Sequence, residues 1–186
     1  MRDKLFSPLV ILLQKIGVTP NQVTLLGVVF LVLACLVPPD WYKVAIVFIV
    51  LNVTCDGIDG PLARRKGLAH PGGSLVDIVA DQLGVVFLPA AAIYHLNAFG
   101  PVMLLFSSAY LLFIGLVVYA NELGLEVRLF IRSKYPFYVL YLFCLYQRVD
   151  WVTYFCGAFG LYYSVESFFT LRKIYRYFGE RAARDD

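Results

Sequence analysis

Two long apolar runs close on a stretch rich in aspartate and glycine, CDGIDGPLARRKGLAHPGGSLVDIVADQ, from Cys55 to Gln82. Its polar residues are spaced Asp56-x2-Asp59-Gly60-x2-Ala63-Arg64-x8-Gly73-x3-Asp77-x3-Asp81. A carboxylate in or beside a membrane is costly to hold there, so its presence points to function. On a helix, Asp56, Asp59, Gly60 and Ala63 share one face, and Gly73, Asp77 and Asp81 share another. A turn around Pro71-Gly72 would bring the two faces together. Four converging carboxylates repel one another unless cations lie between them, and all-oxygen ligation suits Mg2+ or Mn2+. Gly60 and Gly73 leave room for a ligand or a close helix contact. Arg64, one turn beyond Gly60, carries a planar fork that suits a phosphate.

The chain around this stretch is that of a membrane protein. Of its 186 residues 60% are hydrophobic and only 16% charged, with a mean hydropathy of +0.73, which argues against a soluble globular domain. Residues 1–18 read as an amphipathic helix on the membrane surface, with Arg2, Lys4 and Lys15 set against Leu5, Phe6, Leu9, Val10, Leu12 and Leu13. No cleavable signal peptide is expected there. Thr19-Pro20-Asn21-Gln22 is a helix start, with threonine as N-cap and glutamine three residues on. Apolar segments then follow at about 23–37, 43–64, 73–94, 101–120, 135–147 and 151–171. The fold class expected is therefore all-α, a polytopic membrane protein with six transmembrane helices preceded by an amphipathic surface helix. The membrane domain would cover 19–172, with a polar, basic cytoplasmic tail at 173–186 that frays at its end. The fifth segment is short and is expected to begin earlier or to tilt.

Six spans would put both termini, the acidic stretch and the 121–134 segment on one side. That side holds 14 of the 16 Lys and Arg, all but Lys43 and Arg148, which makes it the cytoplasmic face of a cell (inner) membrane. Cys35, Cys55, Cys144 and Cys156 show no metal-ligand spacing and read as small apolar residues. His70 and His95 are too few for a zinc site and read as structural or surface residues. Aromatic runs such as FYVLYLF and FGLYYSVESFF read as lipid-facing packing.

The acidic stretch resembles the signature of the CDP-alcohol phosphatidyltransferases at each fixed position, including the interval from Arg64 to Gly73. That resemblance implies transfer of a substituted phosphate from a CDP-linked lipid donor to a small alcohol acceptor, with release of CMP. It implies that Asp56, Asp59, Asp77 and Asp81 hold Mg2+ (or Mn2+), as two ions. Asp81 would be the general base toward the acceptor hydroxyl. Gly60, Ala63, Arg64 and Gly73 would receive the nucleotide and diphosphate. It also implies a homodimer among membrane lipids, with no nucleic-acid partner. Arg128, Arg132 and Lys134 are candidates for holding a phosphorylated acceptor, the first two expected on one helix face; ordinary positive-inside charge is the competing reading. A CDP-choline or CDP-ethanolamine:diacylglycerol phosphotransferase is the alternative within the same chemistry. A cation transporter is a remote one, because the later helices carry few internal acids.

Overall fold

A computed structural model describes residues 7–128 and 130–185, with side chains from Pro8 to Arg181 apart from Leu129. Arg2, Lys4, Leu5 and Phe6, invoked above for the surface helix, lie outside the described residues, as does the side chain of Arg184. Among the described residues there are helices and no strands: α1 (Ser7–Lys15), α2 (Pro20–Leu36), α3 (Tyr42–Arg65), α4 (Pro71–Leu96), α5 (Gly100–Glu122), α6 (Lys134–Gln147) and α7 (Val152–Asp185). A single 3-10 turn, Pro39–Trp41, separates α2 from α3. Among the described residues, three helical stretches are long and apolar enough to cross a membrane: Pro39–Arg65, Pro71–Leu96 and Gly100–Glu122. The pair Pro8–Lys15 and Pro20–Leu36, bent by 113°, makes up to four if it counts as one span. Large apolar side chains such as Leu36, Leu104, Val139 and Leu161 stand on the outer surface, between 63% and 69% exposed. In water such a surface would be untenable; in hydrocarbon it is the expected one.

The chain forms two compact units, one of residues up to Ala91 with Leu145–Arg148, the other of Ala92–Cys144 with the rest from Val149. In the first, α2 begins with the capping box read from the sequence. Thr19 Oγ1 accepts from the Gln22 N–H at 3.3 Å, and the Gln22 side chain accepts from the Thr19 N–H at 2.9 Å. These bonds satisfy donors that a helix start otherwise leaves open. Helix α2 then lies against α3 around Val23, Cys55, Ile58 and Leu62, and Val10 of α1 joins the same cluster. Gly27 allows the close approach: a Cβ there would meet Cys55 Cβ at 3.0 Å, and Asn52 Nδ2 donates to the Gly27 carbonyl at 2.9 Å. At the far end of α3, Arg148 pairs with Asp40 and Tyr146 packs on Tyr42 with ring centroids 5.3 Å apart.

The second unit is built on aromatic rings. Phe106, Phe113, Phe137, Tyr141 and Tyr163 are fully buried, and Tyr110 meets Tyr163 edge-on with centroids 5.0 Å apart. Gly160 lets α7 close on α5, since a Cβ there would meet Phe106 backbone at 3.3 Å. The aromatic runs are thus partly core: Tyr154 and Phe168 face outward, whereas Phe137, Tyr141 and Tyr163 do not.

Three expectations are corrected. The turn between α3 and α4 falls at 66–70, ahead of Pro71, because proline suits the first position of a helix. The tail from Arg172 is helical to Asp185, since Thr170 and Ile174 repeat at helical spacing and are both buried. Helix α6 starts at Lys134, one residue ahead of the apolar run read from the sequence, and has 14 residues, about 21 Å of helix. Arg128 and Arg132 share no helix face, because the described residues between Glu122 and Lys134 are not helical and Gly124 turns the chain at φ +69°.

The Gly27 contact yields a prediction. Because the atom it meets is a Cβ fixed to the α3 backbone, Gly27→Ala must part the two helices. It is expected to cost about 1–3 kcal/mol, read as a lowered unfolding midpoint in detergent, with Gly115→Ala, where nothing lies within 4 Å, as the control in which the midpoint does not fall.

Candidate functional site

The C-terminal half of α3 and the N-terminal half of α4 carry the acidic stretch, and Gly67 at φ +67° turns the chain between them. The basic residues beside Arg64 are engaged in holding this turn. Arg65 Nε donates to Gln14 Oε1 at 2.8 Å, and Lys66 Nζ donates to the Val18 carbonyl at 2.7 Å. The turn is thereby tied to α1 and to the chain entering α2.

Asp56, Asp77 and Asp81 converge. One carboxylate oxygen from each lies within 4.8 Å of the others, and all three groups are half-buried. The helical spacing explains it: Asp77 and Asp81 are one turn apart on α4, and Asp56 faces them from α3. Three hard oxygen donors at this separation fit a divalent cation such as Mg2+.

Asp59 is placed differently. It is 4% exposed, its Oδ2 accepts from Thr24 Oγ1 at 2.7 Å, and its Oδ1 accepts from the Gly60 N–H at 2.7 Å. It lies outside the three-carboxylate group. Thr24, which sequence reasoning missed, also donates toward the Pro20 carbonyl at 3.2 Å, so α2 supplies the support for a buried charge on α3. A threonine within an apolar helix was the available signal.

Beside the carboxylates lies a cavity of about 350 Å³, walled by Gly60, Ala63 and Arg64 of α3, Gly73 and Asp77 of α4, and the start of α2. All four residues expected to receive the nucleotide thus line one space, together with Asp59 and His70. Asp77 belongs both to this wall and to the carboxylate group.

In the second unit, Arg128 lines a cavity of about 480 Å³ with Arg172, Lys173 and Arg176 of α7, Glu126 and Phe169. Its guanidinium lies over the Phe169 ring, 5.0 Å from the centroid, and Lys173 Nζ donates to the Glu126 carbonyl at 2.6 Å. Arg132 and Lys134 are not part of that wall. Arg132 lies over Phe130, whereas Lys134 is buried beside Tyr135 and Tyr138. The loop before Lys134 is held by Tyr163, whose hydroxyl donates to the Ile131 carbonyl at 2.7 Å and accepts from the Ser133 N–H at 3.3 Å. Lys173 and Arg176, read from the sequence as tail charges, are brought with Arg172 to Arg128 only by the continuation of the helix. Glu166, 8% exposed on α7, is an internal acid that the reading of the later helices did not weigh.

Helices of membrane-spanning length and a converging carboxylate set define a class of integral membrane proteins with a polar site at a helix junction. A family model for CDP-alcohol phosphatidyltransferases matches residues 17–168, and the chain belongs to that family. It is similar to the inner membrane protein YnjF of Escherichia coli, 45% identical over 78 residues, which cover 41% of this chain and 37% of that protein. It is also similar to a phosphatidylcholine synthase of Pseudomonas aeruginosa, 39% identical over 80 residues, 40% of this chain and 34% of that one. A phosphatidylinositol phosphate synthase of Cutibacterium acnes is 31% identical over 83 residues, 44% of this chain and 40% of that one. These matches span between a third and two fifths of the relatives' own length. The fold is that of the Mycobacterium tuberculosis phosphatidylinositol phosphate synthase crystallised with CDP-DAG bound, at a TM-score of 0.73, 16% identity, and coverage of 91% of this chain and 92% of that one.

The half-buried bond between Thr24 and Asp59 is testable without an activity. Thr24→Val is expected to lower stability by about 1–3 kcal/mol, measured by unfolding in detergent, whereas Thr24→Ser, which keeps the hydroxyl, is expected to recover most of it.

Proposed function

We propose that this chain transfers a phosphatidyl group from CDP-diacylglycerol, or a similar CDP-lipid, to a small polar alcohol and releases CMP. The observation that carries the reading is the convergence of Asp56, Asp77 and Asp81 beside a cavity walled by Gly60, Ala63, Arg64 and Gly73. Family membership supports it, as do relatives described as phospholipid synthases and a fold neighbour described with CDP-DAG bound.

Each residue has a role that its chemistry suits. Asp56, Asp77 and Asp81 would hold Mg2+ or Mn2+. Asp59, whose oxygens each retain a second lone pair, would serve a second ion or orient the first set. Bound cations would neutralise the charge of the diphosphate and of the departing CMP. Arg64 grips a phosphate through its fork. Asp81 accepts the proton of the acceptor hydroxyl as that oxygen attacks phosphorus, so that the acceptor leaves as a phosphodiester and CMP carries away the electron pair.

Basic residues around Arg128 favour an acceptor that itself carries a phosphate, such as glycerol 3-phosphate or inositol phosphate. The same reading places α2–α7 as six spans, α6 being a short one, with α1 along the membrane surface. Exposed Leu9 and Leu12 on α1 support the latter. Termini and signature then lie at the cytoplasmic face of the cell membrane, in a homodimer.

CMP release by the purified chain in detergent tests the proposal, with Mg2+, CDP-diacylglycerol and single acceptors: glycerol 3-phosphate, inositol phosphate, serine, inositol and choline. Release is expected with a phosphorylated acceptor, to vanish on chelation, and to return with added Mg2+. Asp81→Asn is expected to lose about a hundredfold or more of the rate. Arg128→Ala is expected to raise the KM for a phosphorylated acceptor and leave that for the donor unchanged. Release with choline alone would remove the anionic-acceptor part, and release only from CDP-choline with diacylglycerol would reverse donor and acceptor.

A further inference from the structure

The room that Gly73 leaves open is faced by a side chain of this chain itself. A Cβ at Gly73 would meet His70 Nε2 at 3.7 Å and Cε1 at 3.8 Å; one at Gly72 would meet Nδ1 at 3.1 Å and Cε1 at 3.2 Å. The imidazole therefore lies over two consecutive glycines at the start of α4. Gly72 stands outside the spaced residues of the signature, yet a side chain there would push the ring by a few tenths of an ångström.

Hydrogen bonding sets which ring nitrogen carries the proton. The Gly73 N–H is shared between the His70 carbonyl at 3.0 Å and its Nδ1 at 3.2 Å. A nitrogen that accepts holds no proton, so in the neutral ring the proton sits on Nε2. His70 thus brings an N–H donor to the wall of the cavity that also holds Arg64 and Asp77. Arg64, in the same wall, also lies by a glycine: a Cβ at Gly60 would meet its Nη1 at 3.5 Å. Two planar donor groups, each lying over glycine, wall one cavity at the start of a 26-residue helix whose N-terminal end favours negative charge. That combination suits an oxyanion bridging the α3–α4 turn.

We propose that His70 is a donor-binding residue, its Nε2–H hydrogen-bonding an oxygen of the diphosphate in the CDP-linked substrate, with Gly72 serving as the seat that lets the ring reach it. The inference rests on the function proposed above. His70 is exposed and makes its bonds within its own turn, so its replacement leaves the packed core untouched.

CDP is the probe, titrated calorimetrically against the full chain in detergent with Mg2+. Binding by the unaltered chain is expected to weaken about tenfold in His70→Ala. His70→Gln, which restores an N–H at the reach of Nε2, is expected to recover most of the loss. Gly72→Ala keeps the imidazole but crowds its seat, and is expected to lose part of the same affinity although alanine is the better helix former. In CMP release, the KM for CDP-diacylglycerol is expected to rise by a similar factor, with the acceptor KM and the unfolding midpoint unmoved. Should His70→Ala bind CDP as tightly as the unaltered chain while Arg64→Ala does not, the role of His70 is overturned and the transferase reading stands. Should the unaltered chain neither bind CDP nor release CMP, both fall.

Discussion

Three carboxylate oxygens within 4.8 Å of one another set the terms for the rest of the first unit. Between ionised groups this separation costs about 3 kcal/mol per pair at an effective dielectric near about 20, and more where water is excluded. A fold that holds them there has to spend packing energy elsewhere. The α2–α3 seam at Gly27, the capping box at Thr19 and the ties from Arg65 and Lys66 to α1 and Val18 all brace the elements that carry the carboxylates. Glycine at the seam matters because helices in hydrocarbon gain little from apolar burial against each other. They gain from close contact and from polar bonds such as that of Asn52 to the Gly27 carbonyl.

Asp59 shows how one sequence pattern divides into two kinds of site. By spacing it belongs with Asp56 on the same face of α3, and nothing local distinguishes them. Its burial to 4% and its bond with Thr24 separate it from the three-carboxylate group. A buried carboxylate needs its lone pairs met, and here a helix entering from elsewhere in the chain meets them. The second unit obeys the same logic in another chemistry. Tyr163 is enclosed by rings, and its hydroxyl finds partners in the backbone of the loop that leads to Lys134. Burying an aromatic alcohol without such partners would cost about 1–3 kcal/mol of what its ring contributes.

Much was legible in the chain itself, because periodicity, capping and turn chemistry are local. Helices α2 to α6, the N-cap at Thr19 and the convergence of Asp56 with Asp77 and Asp81 follow from spacing along single helices and one turn between them. Family membership followed from the same residues. Helix ends were less legible, as at Pro71, where proline was read as part of a turn and instead begins a helix, and at Arg172, where a charged run hides an apolar stripe.

What the sequence alone determined was an all-helical membrane chain with a carboxylate site at a helix junction, since hydropathy and helical phase depend only on order along the chain. Tertiary structure decided the partners of that site: that Thr24 holds Asp59, that His70 covers Gly73, that Arg128 meets the cations of α7, and that Arg132 does not. These pairings join residues on different elements or across a turn. They depend on how closely the backbones approach, which is set by small side chains and ring packing rather than by any repeat a single helix displays.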